Sequence, residues 1–360
     1  MLIMNKAFIL FFFLFNYLYV LSQNELIDTK IDSTFLKLSN FPEKTQFAIA
    51  VIKNSKTEYI GFIVEDKYLK KIDNKDSLFE IGSLTKIFTA TLLANSINNN
   101  KINLSDRINK NLPLKLNNKL NFTYLSLANH TAGLYKVPSN FLISASKNNN
   151  NPYLNYSQEM FFDYLKNDLV INDNINGKYS YSNLGYALLG YSLSLLEKMS
   201  YQELIQTKIF NKYEMNNSFT KHSEKITVVN GLDQKGNKTS FWDFNSSLEA
   251  AGCIISNTYD LSNFISSQFN ENNLDLKTTQ IPTFIVNKQL EIGLGWHIIK
   301  SEENNKLHWH NGATGGYTSS IAFDVNNKTG IIILSNISAM HPNAKNIDEL
   351  TFELIKILNN

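Results

Sequence analysis

The sequence predicts an α/β protein of the α+β kind: one antiparallel sheet built from both chain ends, flanked by helices, with a mostly helical lobe inserted. Three observations carry this. Strand-like apolar runs stand early in the chain, at Phe47 to Ile52 and Tyr59 to Val64. A second set of strand patterns lies between residues 294 and 336. The stretch separating them shows helical periodicity instead.

Taken in order, Met1 to Lys6 carries one positive charge and Ala7 to Val20 is almost wholly apolar. Val20-Leu21-Ser22 follows, with short residues of the kind found before a signal-peptidase cut. About 14 apolar residues are short for a membrane span. Residues 1–22 are therefore expected to be a secretory leader, with no stable membrane anchor, and the mature chain to be exported, periplasmic or extracellular. Residues 23–360 are expected to form a single domain, with a sheet lobe at about 40–95 and 290–360 and a helical lobe at about 96–289.

Glu25 to Leu38 reads as a helix. The runs Phe47 to Ile52 and Tyr59 to Val64, joined by Lys53-Asn54-Ser55-Lys56-Thr57, read as a hairpin. A helix is predicted to begin at about Ser83, and Lys101 to Arg107 to turn into the middle region. There Ser157 to Lys166, Leu184 to Met199 and Tyr201 to Phe210 carry helical spacing between Asn-rich loops. Leu294 to Ile299, Lys306 to Asn311, Thr318 to Val325 and Gly330 to Asn336 read as strands, and Ile347 to Leu358 as a closing amphipathic helix.

Composition narrows the function. A net charge of +2, with 43% hydrophobic and 18% charged residues, fits a folded protein with a sizeable core. No basic stripe points to nucleic acid. The one cysteine, Cys253, cannot make an internal disulfide, and its apolar neighbours Ala250-Ala251-Gly252 and Ile254-Ile255 predict a buried structural thiol.

The chemistry centres on Phe79-Glu80-Ile81-Gly82-Ser83-Leu84-Thr85-Lys86. Residues three apart share a helix face, so the Lys86 amine can reach the Ser83 hydroxyl. A serine at a helix start also has free N–H groups beside it to receive developing negative charge. Ser-x-x-Lys recurs at Ser144 to Lys147 and Ser218 to Lys221, but only Ser83 stands between a strand-like run and an apolar helix. A hydroxyl becomes a nucleophile when a neighbouring base takes its proton.

Two further clusters stand out. In Tyr181-Ser182-Asn183, Tyr181 can act as a base if cations lower its pKa, and Asn183 can hydrogen-bond an amide; equally, the segment can be an aromatic loop capping a helix. In His308-Trp309-His310-Asn311-Gly312-Ala313, alternation puts His308 and His310 on one face. With no third ligand at useful spacing no metal is expected, and His310 fits better as a cation or donor facing substrate. The glycines let a ligand approach the strand.

In their order and context these motifs resemble the penicillin-recognising serine hydrolases, which include class C β-lactamases, D-alanyl-D-alanine carboxypeptidases and related esterases. Leu127-Ala128-Asn129-His130-Thr131-Ala132-Gly133-Leu134 and Glu249-Ala250-Ala251-Gly252 add to the likeness, which spans roughly Phe47 to Leu358. The resemblance implies a β-lactamase/transpeptidase-like fold and acyl transfer without metal or cofactor. Ser83, Lys86 and Tyr181 would be catalytic. Asn183, His310, Asn311, Gly312 and Ala313 would bind substrate, with the Ser83 and Ala313 N–H groups as the oxyanion hole.

The implied substrate is a β-lactam or a D-Ala-type peptide; an esterase, or a sensor that acylates without turnover, are the alternatives. A monomer acting on a small molecule or peptide is expected. His310-Asn311-Gly312 replaces the family's frequent Lys-Thr-Gly. The chain's own Lys328-Thr329-Gly330 has only one strand and a helix after it, too few for the site strand, and is read as a hairpin turn. Lys136 falls on a loop that borders the site in the family, with no role assigned to it.

Overall fold

The computed structural model describes residues 41–360 apart from 55, 109–111, 114–119, 121, 245–247 and 302–304. The expected leader and the expected helix at Glu25 to Leu38 lie outside the described residues.

Both chain ends build one nine-stranded sheet. The N-terminal part contributes β1 (Gln46–Lys53), β2 (Lys56–Glu65) and β3 (Tyr68–Ile72). The C-terminal part contributes β6 (Phe284–Ile285), β7 (Leu290–Ile292), β8 (His297–Lys300), β9 (Lys306–Ala313), β10 (Thr318–Asp324) and β11 (Thr329–Ser335). Their order is β3-β2-β1-β11-β10-β9-β8-β7-β6, antiparallel throughout. The ends meet where β1 pairs with β11, from Phe47 opposite Ser335 to Lys53 opposite Thr329. A separate two-residue ladder joins β4 (Phe79–Glu80) to β5 (Ile255–Ser256).

The central strands are apolar on both faces because both are covered. Ala48, Ala50, Ile332 and Leu334 face the main core, together with α1 (Thr85–Asn98) and α7 (Thr258–Ser267). Phe88 of α1 meets Phe264 of α7 with ring centroids 4.5 Å apart. Phe47, Ile49, Ile331 and Ile333 face the other way, against Ile347, Leu350 and Leu354 of α9 (Asn346–Asn359). The remaining helices include α2 (Tyr124–Ala128), α3 (Phe141–Ala145), α4 (Gln158–Asn167), α5 (Asn183–Glu197), α6 (Tyr201–Ile205) and α8 (Leu274–Gln280).

Three local differences from the sequence expectations have physical causes. The helix does not begin at Ser83: residues Gly82–Leu84 form a 3-10 turn and α1 starts at Thr85, because Gly82 takes φ +50°. The strand expected from Leu294 begins at His297, since Gly295 at φ +80° and the Gly293 N–H to Trp296 carbonyl bond (2.8 Å) close a turn. Helix α6 ends at Ile205 and continues as a π-helical turn, Gln206–Phe210. Lys328, at φ +51°, sits in the turn between β10 and β11. Among the described residues no helix is long and apolar enough to cross a membrane.

Candidate active site

The turn that carries Ser83 is wedged against the end of β9. A Cβ on Gly82 would lie 2.7 Å from the Ala313 backbone nitrogen, and one on Gly312 would lie 2.0 Å from the Ile81 carbonyl oxygen. No side chain fits in either gap. Ser319 Oγ donates to the Ile81 carbonyl at 2.9 Å and fastens β10 to the same turn. Ser83 is thereby held beside the backbone of Ala313, and both residues line a cleft of about 440 Å³.

Lys86 lies on the first turn of α1 and is fully buried. Its Nζ stands 3.0 Å from Ser83 Oγ and donates to the Ala251 carbonyl at 2.6 Å. Burial pushes the Lys86 ammonium well below the ordinary lysine value, and the positive charge of Lys136 pushes the same way. A neutral amine that donates to Ala251 keeps a lone pair for the Ser83 hydroxyl. The other two Ser-x-x-Lys copies have no such setting. Ser218 Oγ is tied to Asp260 Oδ2 at 2.8 Å, and Ser144 is buried in α3.

Tyr181 and Asn183 are carried by the start of α5, where Ser182 Oγ caps the helix by accepting from Gly185 N–H. The Tyr181 ring lies 4.9 Å from Lys86 Nζ. The sequence leaves open a tyrosinate base formed under neighbouring cations. Burial instead drives the phenol upward, outweighing its hydrogen bond to Ser83, so Tyr181 keeps its proton at neutral pH. Asn183 Oδ1 is buried with no hydrogen-bond partner among the described residues.

The β9 residues divide between the two faces of the sheet. His310 does not behave as the cation or donor that the sequence suggests. It is 1% exposed, and burial, followed by His297 and Lys86, holds it well below the usual imidazole value. Its Nδ1 bonds the Asn311 carbonyl at 2.6 Å; since a carbonyl only accepts, the proton is on Nδ1 and buried Nε2 is left as an acceptor without a partner. The Asn311 side chain, expected to take the place of a hydroxyl donor, turns to the other face and donates to Asp348 of α9 at 2.8 Å, although the residue still borders the cleft. His308 Nε2 bonds the Gln280 carbonyl, away from His310. Cys253 is buried, and burial raises its thiol pKa.

Several cleft residues escape sequence reasoning. Tyr153, Trp242 and Phe244 form an aromatic wall, with the Tyr153 and Phe244 rings stacked at 4.1 Å. Tyr153 lies far along the chain from Trp242 and Phe244, and no local period links the three. His297 also borders the cleft, its Nε2 2.7 Å from Tyr179 Oη, and burial lowers its pKa to about 4. Buried Glu80 accepts from Thr314 Oγ1 and Trp242 N–H, both at 2.7 Å, and pairs with His222 Nε2 at 3.0 Å. It ties the aromatic wall to the turn that carries Ser83. Its place beside the motif was visible in the sequence; its partners were not.

With this geometry in view, comparison with known proteins is informative. The family model described as Beta-lactamase matches residues 40–355. The chain belongs to the beta-lactamase family. Within that family it is 24% identical to a beta-lactamase of Pseudomonas fluorescens, over 88% of this chain and 95% of the relative. It is 24% identical to one of Psychrobacter immobilis, over 94% and 90%. Among solved structures, the beta-lactamase/D-alanine carboxypeptidase from Pseudomonas syringae superposes with a TM-score of 0.76 at 20% identity, covering 92% of this chain and 99% of that one. That likeness establishes the β-lactamase/transpeptidase-like fold, and membership of the beta-lactamase family makes the chain a serine hydrolase in general terms.

Proposed function

We propose that this chain is an exported serine hydrolase that forms an acyl-enzyme on Ser83 and acts on β-lactams or D-Ala-type peptides. The observation that carries it is the buried Lys86 amine, 3.0 Å from Ser83 Oγ, with its pKa lowered by burial. In this reading Ser83 Oγ bonds to the substrate carbonyl carbon as its proton passes to Lys86 Nζ. The oxyanion is received by the Ser83 and Ala313 N–H groups, the kind of preorganised donor pair that stabilises such intermediates. The Lys86 proton then passes through the Tyr181 hydroxyl to the leaving nitrogen or oxygen as its bond to carbon breaks. Water attacks the acyl-enzyme by the reverse proton route and frees Ser83.

Asn183 is assigned to the acyl portion; its buried, unpartnered Oδ1 supports a substrate that offers an N–H there. A second reading, an esterase on small acyl esters, is favoured by the neutral state of His310, which leaves the β9 side of the cleft without a permanent charge for a carboxylate. The apolar run after Lys6 supports export, with residues 23–360 as one catalytic domain. Action as a monomer is part of the same reading.

Intact-mass spectrometry of the protein mixed with a chromogenic cephalosporin, with absorbance followed in parallel, tests the reading. Multiple turnovers establish a β-lactamase, whereas a persistent adduct on Ser83 establishes a penicillin-binding enzyme or sensor. No adduct and no colour, followed by Ser83-dependent cleavage of an ester panel, establishes the esterase. Failure of all three overturns the acyl-enzyme.

A further inference from the structure

Among the described residues lining the cleft, Lys136 is the one Lys, Arg, Asp or Glu. Its carbonyl accepts the N–H groups of Asn183 at 2.9 Å and Leu184 at 3.1 Å, which fixes the residue to the start of α5, on the Asn183 side of the cleft. Among the described residues its ammonium makes no ion pair and no hydrogen bond. It is exposed, so while it stays hydrated it costs nothing. Three features separate it from an ordinary surface lysine. Its charge reaches the buried Lys86. It stands at an aromatic cleft, whose low-dielectric walls focus a single charge. And the opposing imidazoles, His297 and His310, are neutral, so the positive field of the cleft has its pole on the helical side.

Resting on the acyl-transfer reading above, we propose that Lys136 is the specificity-determining anchor for a carboxylate on the acyl portion of the substrate. The acyl portion is chosen because Asn183, to which Lys136 is fastened, is the residue assigned to it. The hydrolase would then prefer acyl groups that end in an acid over neutral groups of the same length. Anion recognition is thereby moved from the β9 strand to the opposite wall.

The test compares phenyl hydrogen succinate with phenyl butyrate, whose acyl chains match in length and differ in charge, using the full chain and the variants Lys136→Met and Lys136→Arg. In the unmodified protein the acidic ester should have the higher kcat/KM by about tenfold, mostly through KM, and added salt should shrink the gap. Lys136→Met should bring the ratio of the two esters to about one, and Lys136→Arg should preserve most of it. A ratio near one in the unmodified protein, or a preference that survives Lys136→Met, overturns the anchor. The two levels of failure separate cleanly. Ser83-dependent hydrolysis of both esters without preference removes the anchor alone, whereas no hydrolysis and no Ser83 adduct removes the acyl-transfer reading and the anchor with it.

Discussion

Lys86 Nζ stands 3.0 Å from Ser83 Oγ while donating to the Ala251 carbonyl, and it does so with no ion pair among the described residues. A charged lysine is costly there, and burial lowers the Lys86 pKa toward the neutral amine. Activity should therefore fall on the acid side, as pH drops through the lowered Lys86 pKa. Lys136 repels a charge on Lys86, so Lys136→Met should raise that pKa and move the acid limb of kcat/KM to higher pH by a few tenths of a unit. A pH–rate profile on a neutral ester checks this, and a shift to lower pH would contradict it.

The same group should mark stability. Its folded pKa lies below the ordinary 10.5 of the unfolded chain, so between the two values the unfolded state binds more protons. Stability from this group therefore rises with pH, by up to about 1.4 kcal/mol per unit, and is complete above the unfolded value. Lys86→Met removes that slope. Urea midpoints of both proteins from about pH 7 to 9 should converge as pH rises, the Met variant losing its relative advantage. Parallel curves would show that Lys86 is charged in the folded protein.

Ser83→Ala should abolish acylation, with turnover reduced by about a thousandfold or more, and leave the thermal midpoint within a few degrees. Ser83 contributes one hydroxyl to a turn held by its neighbours, so little packing is lost. Intact mass and a thermal melt read the two effects. Residual labelling would mean that another serine carries the acyl group.

What the sequence made legible follows from chain-local physics. Strand β1 and β11 are long, apolar and bounded by turns, and the Ser83–Lys86 spacing is set within a single helical turn, so both could be read from neighbours in the chain. Strands β5 and β6 have two residues each and leave no period to detect. The protonation states of His310 and Tyr181 were out of reach of the sequence for a different reason. Residue type gives an ordinary pKa, whereas burial by distant segments sets the actual one, and no local pattern encodes that depth. The Asn311 side chain went astray through alternation along β9, which turns it to Asp348.

His310→Lys tests the histidine directly. The unmodified profile should show no inflection near 6.5, since His310 stays neutral well below that value. A lysine there would place an ammonium at a position 1% exposed, beside Lys86, with no carboxylate to pair with. The expected cost is about 2–4 kcal/mol of stability, measured by urea unfolding. A variant as stable as the original would show that water reaches this position.

Gly82→Ala joins fold to chemistry. The residue holds φ +50°, where a Cβ is strained, and that Cβ would sit 2.7 Å from both the nitrogen and the oxygen of Ala313. These are backbone atoms of a sheet strand and cannot swing aside as a side-chain tip can. The strain of a left-handed alanine costs about 1 kcal/mol, and relief of the overlap must come from separating the nucleophile turn from β9. Stability should fall by about 2 kcal/mol or more, and acylation should fall further than stability alone explains, because the same displacement moves the Ala313 N–H away from Ser83. Comparing the acylation rate with the urea midpoint separates the two effects. A stable, active Gly82→Ala protein would mean that the turn and β9 do not need their close contact, and that Ala313 N–H is not part of the site.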